Sequence, residues 1–359
     1  MRKSLFTISV LILLTLPILS LSKQVCNKDD EKVLFKIKKS LGNPYHLASW
    51  DKTLDGCKWY NVDCDVNTSR LIALTIFQAN ISGQIPNAVG DLPFLEKLIP
   101  RKLTNLTGTI PSAITKLPRL TMLRLSWTNL TGPVPSFLNQ LKNLNFLDLA
   151  FNHLTGSIPP ELAYLTNLGA IHLDRNMLTG VILDSFCSFK GSIPDLYLSH
   201  NQLTGTIPKS LGYLNFSVID LSRNQLTGDI SMFFVPNKTI YSADFSRNSF
   251  KFNMSEVVFP ESLTSLDVNH NKIFGNIPQS GLISFQFLNN FQQLYVYPNK
   301  PDLTRGIYVH VTYCVIARGL PTVVSEPKVH TWEVTSERFI RFGEKKEDQK
   351  GTVLIQKQR

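Results

Sequence analysis

LDLAFNHLTGSIP (residues 147–159) and LYLSHNQLTGTIP (196–208) are one phrase written twice. Between and around them stand further copies: LTIFQANISGQIP (74–86), LRLSWTNLTGPVP (123–135), IHLDRNMLTGVIL (171–183), IDLSRNQLTGDIS (219–231) and LDVNHNKIFGNIP (266–278). Two weaker copies, LIPRKLTNLTGTIP (98–111) and ADFSRNSFKFNMS (243–255), fill the gaps. The glycines Gly83, Gly108, Gly132, Gly156, Gly180, Gly205, Gly228 and Gly275 recur every 23 to 25 residues, with one copy skipped before the last. A fixed period of this length marks a stack of small units, each unable to bury its apolar face alone. Nine repeats over 71–289 account for the pattern.

Each position in the phrase has a physical task. In L-x-L the apolar side chains point into the coil and the intervening one points to the opposite face of a strand. Asn152, Asn176, Asn201, Asn224, Asn248 and Asn271 fall where the chain must turn inward. An amide there satisfies backbone groups that would otherwise be buried unpaired. Ala79, Thr104 and Thr128 take that place in the first three repeats, so the ladder is expected to be weaker there. The predicted fold is an α/β leucine-rich-repeat solenoid. It is a right-handed superhelix with a parallel concave sheet, a short second sheet and a helical or 3-10 convex side.

Ahead of the repeats, Arg2 and Lys3 precede an apolar run over 5–19, and Ser20 and Ser22 supply small residues for cleavage, so 1–22 reads as a secretory leader. Residues 23–70 read as an amino-terminal cap. Residues 27–41 form an amphipathic helix with Val33, Leu34, Ile37 and Leu41 inward, Asn27 as N-cap and Asp30 three residues on. Cys57 and Cys64 are close enough in sequence to form a local disulfide in an oxidising compartment. The count of five cysteines is odd, so at least one thiol lacks a partner within the chain. Cys187 reads as a small half-exposed thiol. Seven N-x-[ST] sequons, at Asn67, Asn80, Asn105, Asn129, Asn215, Asn237 and Asn253, agree with secretion and glycosylation. The best later apolar stretch, 307–317, includes His310 and is too short to span a bilayer. The formal charge of +10 becomes +8 once Arg2 and Lys3 leave. Outside the cell a basic surface is matched to an acidic polysaccharide such as pectin rather than to nucleic acid.

The run CNKDDEKVLFKIKKSLGNP…LASW, followed by LRLSWTNLTG, NLNFLDLAFN, DLYLSHNQLTG and SLTSLDVNHNKIFGNIP, resembles plant polygalacturonase-inhibiting proteins from residue 24 to about 289. The L-[TS]-G-x-[IV]-P segment resembles the plant-specific class of leucine-rich repeat, with its extra sheet. The resemblance implies a secreted, non-catalytic, monomeric glycoprotein of the cell wall or apoplast. Such a protein binds fungal or insect endopolygalacturonases in defence and needs no cofactor or metal. Two features depart from that pattern. The family carries a Cys-Cys pair where this chain has Gly56 and Cys57, so Cys26 has lost its implied partner and either stays free or captures Cys57. After Asn289 the family continues into a last repeat and a cysteine-bearing cap. This chain instead has a divergent, poorly ordered extension over 290–359 with Cys314 alone. A translated intron, frameshift or rearranged gene end explains that extension more simply than an appended module.

On the concave face the residues between the strand leucines are Arg124, Asp148, His172, Tyr197, Asp220, Asp244 and Asp267. One step on lie Ser126, Ala150, Asp174, Ser199, Ser222, Ser246 and Asn269. Trp127, Phe151, Arg175, His200, Arg223, Arg247 and His270 stand next to these. Nine strands about 4.8 Å apart span roughly 38 Å, the scale of a macromolecular partner. By the resemblance, Asp148, Asp174 and Asp220 match acidic positions that engage basic residues around the enzyme's cleft. Arg124, Trp127, Phe151, His172 and Tyr197 complete the expected contact set, with the aromatic residues as energetic anchors. An open, wet face with no nucleophile elbow, phosphate loop or zinc-type spacing excludes catalysis. The competing readings are a soluble receptor-like protein for a peptide or wall oligosaccharide and a decayed family member. An ice-binding protein is a further one, using the recurring Thr107, Thr131, Thr155, Thr179, Thr204 and Thr227.

Overall fold

The computed structural model describes residues 25–189 and 193–275, with backbone strands at 293–295 and 310–311. The leader, the stretch 307–317 except for its strand, and Cys314 lie outside the described residues. The main sheet begins with β1 (Val62–Cys64), antiparallel to β2 (Leu71–Phe77). Parallel strands follow in sequence order: β3 (Lys97–Arg101), β4 (Met122–Arg124), β5 (Phe146–Asp148) and β6 (Ala170–His172). The same order continues through β7 (Asp195–Tyr197), β8 (Val218–Asp220), β9 (Ser242–Asp244) and β10 (Ser265–Asp267). From β2 to β10 there is one strand per repeat, as the period demands. Beyond the ninth repeat, β11 (Gln293–Tyr295) pairs in parallel with β10, placing Leu294 beside Leu266, and β12 (His310–Val311) returns antiparallel.

Each coil repeats the same economy of groups. Leu123, Leu125, Leu147, Leu149, Leu196 and Leu198 are fully buried and belong to one continuous apolar core. The proline closing each phrase (Pro86, Pro111, Pro135, Pro159, Pro208) stands directly before a 3-10 turn. There it ends the extended segment at no cost in hydrogen bonds, because its nitrogen has no proton to donate. The second sheet is broken into two. Five strands run from Gly83–Gln84 to Met177–Leu178, and three from Thr204–Thr206 to Ser249–Phe250.

The asparagine ladder forms as the sequence predicts from Asn152 to Asn271. Asn176 donates to the carbonyls of Leu149 and Leu173 (both 3.0 Å) and accepts from the Leu154 amide (3.0 Å). Each amide thus ties its own coil to the preceding one. Thr128 continues the ladder with its hydroxyl on the Leu125 carbonyl and on Asn152. Thr104 does not. The second repeat carries one extra residue, the register slips between Leu103 and Thr107, and buried Leu103 takes the inward place while Thr104 is exposed.

The cap helix α1 runs Lys28–Ser40, with the Asn27 side chain accepting from the Asp29 and Asp30 amides and Val33, Leu34 and Ile37 buried. Asp30 is not the reciprocal partner of a capping box. It is 2 % exposed, receives Arg70 through two nitrogens (2.7 and 2.9 Å) and the Leu71 amide (2.8 Å), and so bolts the helix to the first repeat strand. Trp50 and Trp59 stack behind it at 5.9 Å. Cys57 and Cys64 are disulfide-bonded, and Cys26 is a buried free thiol.

Candidate functional site

The concave columns follow from strand register. Arg124, Asp148, His172 and Tyr197 are aligned on neighbouring strands, and Asp220, Asp244 and Asp267 continue the row. The last concave column has an unusual backbone. Trp127, Phe151, Arg175, His200, Arg223, Arg247 and His270 all have φ between 54° and 57°, except Arg247 at 53°. The chain must bend there so that the next residue points inward, and a non-glycine residue in this conformation is held by the coil around it.

That column is pre-stacked. The Trp127 and Phe151 rings lie 3.6 Å apart at 15°, and the Arg175 guanidinium covers the other end of the stack, 4.8 Å from the Phe151 centroid. Trp127 is 41 % exposed, a large apolar surface stacked on Phe151 before any partner arrives. In the middle of the face His172 stacks on Tyr197 at 4.2 Å and touches Phe146 at 5.2 Å.

The aspartates differ from one another in a way the repeat register does not reveal. Asp148 is 5 % exposed, and its carboxylate accepts from Arg124 Nε (2.6 Å), Ser126 Oγ (2.9 Å) and the Ala150 amide (3.1 Å). It holds Arg124 in place and has little left to offer a partner. Asp220, Asp244 and Asp267 are half-buried, each with one oxygen on an amide two residues on. Burial, reinforced by neighbouring aspartates, pushes Asp174 and Asp267 up to about 6, and burial raises Asp244 as well. Burial lowers His172, His200 and His270.

A raised acid pKa means the folded state binds the proton more tightly than the unfolded chain, so this strain is present above about pH 6 and relieved as pH falls towards 4. The histidines pull the other way, which makes the wild-type melting curve alone ambiguous. The comparison with Asp174→Asn/Asp267→Asn is not. The variant is expected to be more stable than wild type at pH 7, with the difference vanishing near pH 4. Denaturant melts across that range check it, and a pH-independent difference would refute the assignment.

The sequence list of face residues began at the third repeat and missed four neighbours. Phe77, Arg101 and Lys102 lie on the first two coils, with Arg101 and Lys102 each within 5.7 Å of the Phe77 ring. Phe146 lies under Arg124 at 5.5 Å. The degenerate first and second copies hid the first three; the N-[IL]-[ST]-G that closes both copies, at 80–83 and 105–108, was the available signal. Of the recurring threonines, Thr107, Thr131, Thr204 and Thr227 donate their hydroxyls to glycine carbonyls of the preceding coil. Among the seven sequons, Asn67, Asn80, Asn105, Asn215 and Asn237 are exposed and Asn129 and Asn253 half-buried, all off the concave columns. Among the described residues the one cluster of three metal-ligand side chains is Cys26, Cys57 and Cys64, two of them already joined in the disulfide. No helix among those residues is long and apolar enough to cross a membrane.

Comparison with known proteins places the fold among leucine-rich-repeat proteins. Residues 27–65 match the leucine rich repeat N-terminal domain, and 143–165, 193–214 and 262–282 match the Leucine Rich Repeat. A polygalacturonase inhibitor of Vitis vinifera is 64% identical over 270 residues, covering 75% of this chain and 81% of that protein. Polygalacturonase inhibitor 1 of Arabidopsis thaliana is 63% identical over 274 residues, covering 76% and 83%. Among solved structures, a plant ice-binding protein superposes with a TM-score of 0.71 at 46% identity, covering 76% of this chain and 90% of that one.

Proposed function

The chain belongs to the polygalacturonase-inhibitor family of leucine-rich-repeat proteins, and on that premise we propose that it inhibits pathogen endopolygalacturonases by docking them on its concave face. It acts by occlusion and does no chemistry of its own. The observation that carries the reading is the Trp127–Phe151–Arg175 stack on repeats three to five, with the Asp220–Asp244–Asp267 row further along the same face on repeats seven to nine. A rigid aromatic anchor costs little ordering entropy on binding, and a row of carboxylates suits an enzyme cleft lined with cations for a polyanionic substrate. The candidate contact set is Arg124, Trp127, Phe151, His172, Asp174, Tyr197, Asp220, Asp244 and Asp267, with Asp148 as the residue that positions Arg124.

The apolar run over 5–19 and the sequons support delivery to the apoplast and cell wall. The formal charge of +8 that remains once Arg2 and Lys3 leave with the leader supports a second, weaker contact with acidic wall polysaccharide. An ice-facing role draws no support from Thr107, Thr131, Thr204 and Thr227, whose hydroxyl protons already serve the backbone of the preceding coil.

The test is release of reducing ends from polygalacturonate by a panel of fungal endopolygalacturonases, with the secreted protein added. Wild type is expected to inhibit in proportion to its concentration. Trp127→Ala is expected to raise the inhibition constant by roughly thirtyfold, the effect of losing an anchor of about 2 kcal/mol, with an unchanged melting curve. If folded, monomeric wild-type protein inhibits none of the panel, the receptor-like reading replaces this one.

A further inference from the structure

The two ends of the concave face carry opposite charge. On the first four repeat strands the concave cations are Lys97, Arg101, Lys102 and Arg124. Of the carboxylates there, Asp148 is buried against Arg124, and Glu96 stands at the strand edge before Lys97, so four cations face two carboxylates. Arg101 lies over the Phe77 ring, with a buried Nε that has no hydrogen-bond partner within the chain. From the fifth strand onward the balance inverts. Asp174, Asp195, Asp220, Asp244 and Asp267 outnumber Arg175, Arg223 and Arg247, and those arginines keep to the edge column while the carboxylates line the middle.

We propose that this face is a dipolar docking surface whose partner, a protein, presents carboxylates to Lys97, Arg101, Lys102 and Arg124 and cations to Asp220, Asp244 and Asp267. The proposal rests on the docking reading above and adds an orientation to it. The two charge centres are about six strand spacings apart, roughly 30 Å. That distance exceeds the screening length of about 8 Å at physiological salt, so the two ends act independently. A partner turned end for end would meet like charge at both, which costs several kcal/mol and is rejected during encounter. The aromatic stack lies between them, so charge sets the direction in which a partner lands and Trp127 anchors it. A polyuronate chain, anionic throughout, would satisfy the first end and be repelled by the second; a protein with two patches satisfies both.

The experiment uses full-length secreted protein and one fungal endopolygalacturonase that it inhibits, with affinity and on-rate measured at low and high salt and no substrate present. Lys97→Glu/Lys102→Glu alters two exposed side chains. Asp220→Asn/Asp267→Asn keeps the oxygen that accepts the strand-end amides. Each pair is expected to weaken binding about tenfold at low salt, chiefly through the on-rate, with the loss shrinking at high salt. Zero-length carbodiimide coupling of the wild-type complex is expected to join Lys97 or Lys102 to enzyme carboxylates, a result that does not depend on any variant folding. If Lys97→Glu/Lys102→Glu leaves enzyme affinity unchanged or tightens it while Trp127→Ala weakens it, the orientation is wrong and the docking reading stands. If that pair loses only affinity for polygalacturonate added alone, the basic end is a saccharide site and the proposal falls. If Trp127→Ala and both pairs leave enzyme binding intact, concave docking itself fails.

Discussion

Asn201→Ala is expected to destabilise the protein by about 3 kcal/mol or more, the largest loss available from a single side chain of this size. Its Nδ2 donates to the carbonyls of Leu173 (3.0 Å), Leu198 (3.0 Å) and Ser199 (3.3 Å), and its Oδ1 accepts from the Leu178 amide (3.0 Å). Truncation leaves those backbone groups buried without partners, each costing roughly 1–3 kcal/mol, partly offset where a carbonyl retains a ladder bond. Two of the bonds cross to the preceding coil, so the variant also weakens coupling between neighbouring units of a stack whose stability is a sum of such interfaces. Urea unfolding should therefore show a lower midpoint and a shallower slope, as coils on either side of the sixth repeat unfold separately. The neighbouring exposed Gln202→Ala is expected to change stability by no more than about 0.5 kcal/mol. A loss below about 1 kcal/mol for Asn201→Ala would mean the coils are held by the leucine core alone.

That asparagine row was legible in the sequence because its function is local and repeats without change. The same holds for the strand leucines, the prolines before the turns and the α1 cap. Legibility failed where a repeat changed length or where two side chains from different coils met. One inserted residue near Thr104 moved Leu103 into the inward place, and nothing in a single sequence says which neighbour absorbs an insertion. Asp148 and Asp220 occupy the same register, yet one is buried under an arginine and the other is half-exposed, because the preceding strand carries Arg124 in one case and Tyr197 in the other. Charge on a solenoid face is a property of neighbours 20 or more residues apart. The column lists identify the members of the face without giving their availability, and they passed over Phe77, Arg101 and Lys102, whose copies of the phrase are the least regular.

Gly56→Cys is expected to stabilise the amino-terminal cap by about 2–4 kcal/mol through a second disulfide, to Cys26. A Cβ built on Gly56 falls 2.9 Å from Cys26 Sγ and 3.2 Å from its Cβ, close to the separations a disulfide requires. Glu31 Cγ, at 2.8 Å, has to swing aside, which a flexible side chain can do while its carboxylate keeps its salt bridge to Lys28. The closed loop would be about 30 residues, and in the chain-entropy view its closure accounts for most of the gain. The native arrangement shows why the unpaired thiol is tolerated. The sulfurs of Cys26, Cys57 and Cys64 all lie within 4.8 Å of one another, so a Cys26 thiolate could attack the existing bond. Burial, with Glu31, Asp30 and Asp55 nearby, pushes the Cys26 thiol up to about 12, which keeps the nucleophilic form scarce at any pH the protein meets. Peptide mapping without reduction should find the introduced thiol bonded to Cys26 and the Cys57–Cys64 bond retained. The melting temperature should rise by roughly 5–10 °C over wild type. Gly56→Cys combined with Cys26→Ser should show no such rise, separating the bond from the side chain added at 56. Equal melting temperatures for wild type and Gly56→Cys, with the new bond demonstrably formed, would mean that the cap already folds as firmly without it.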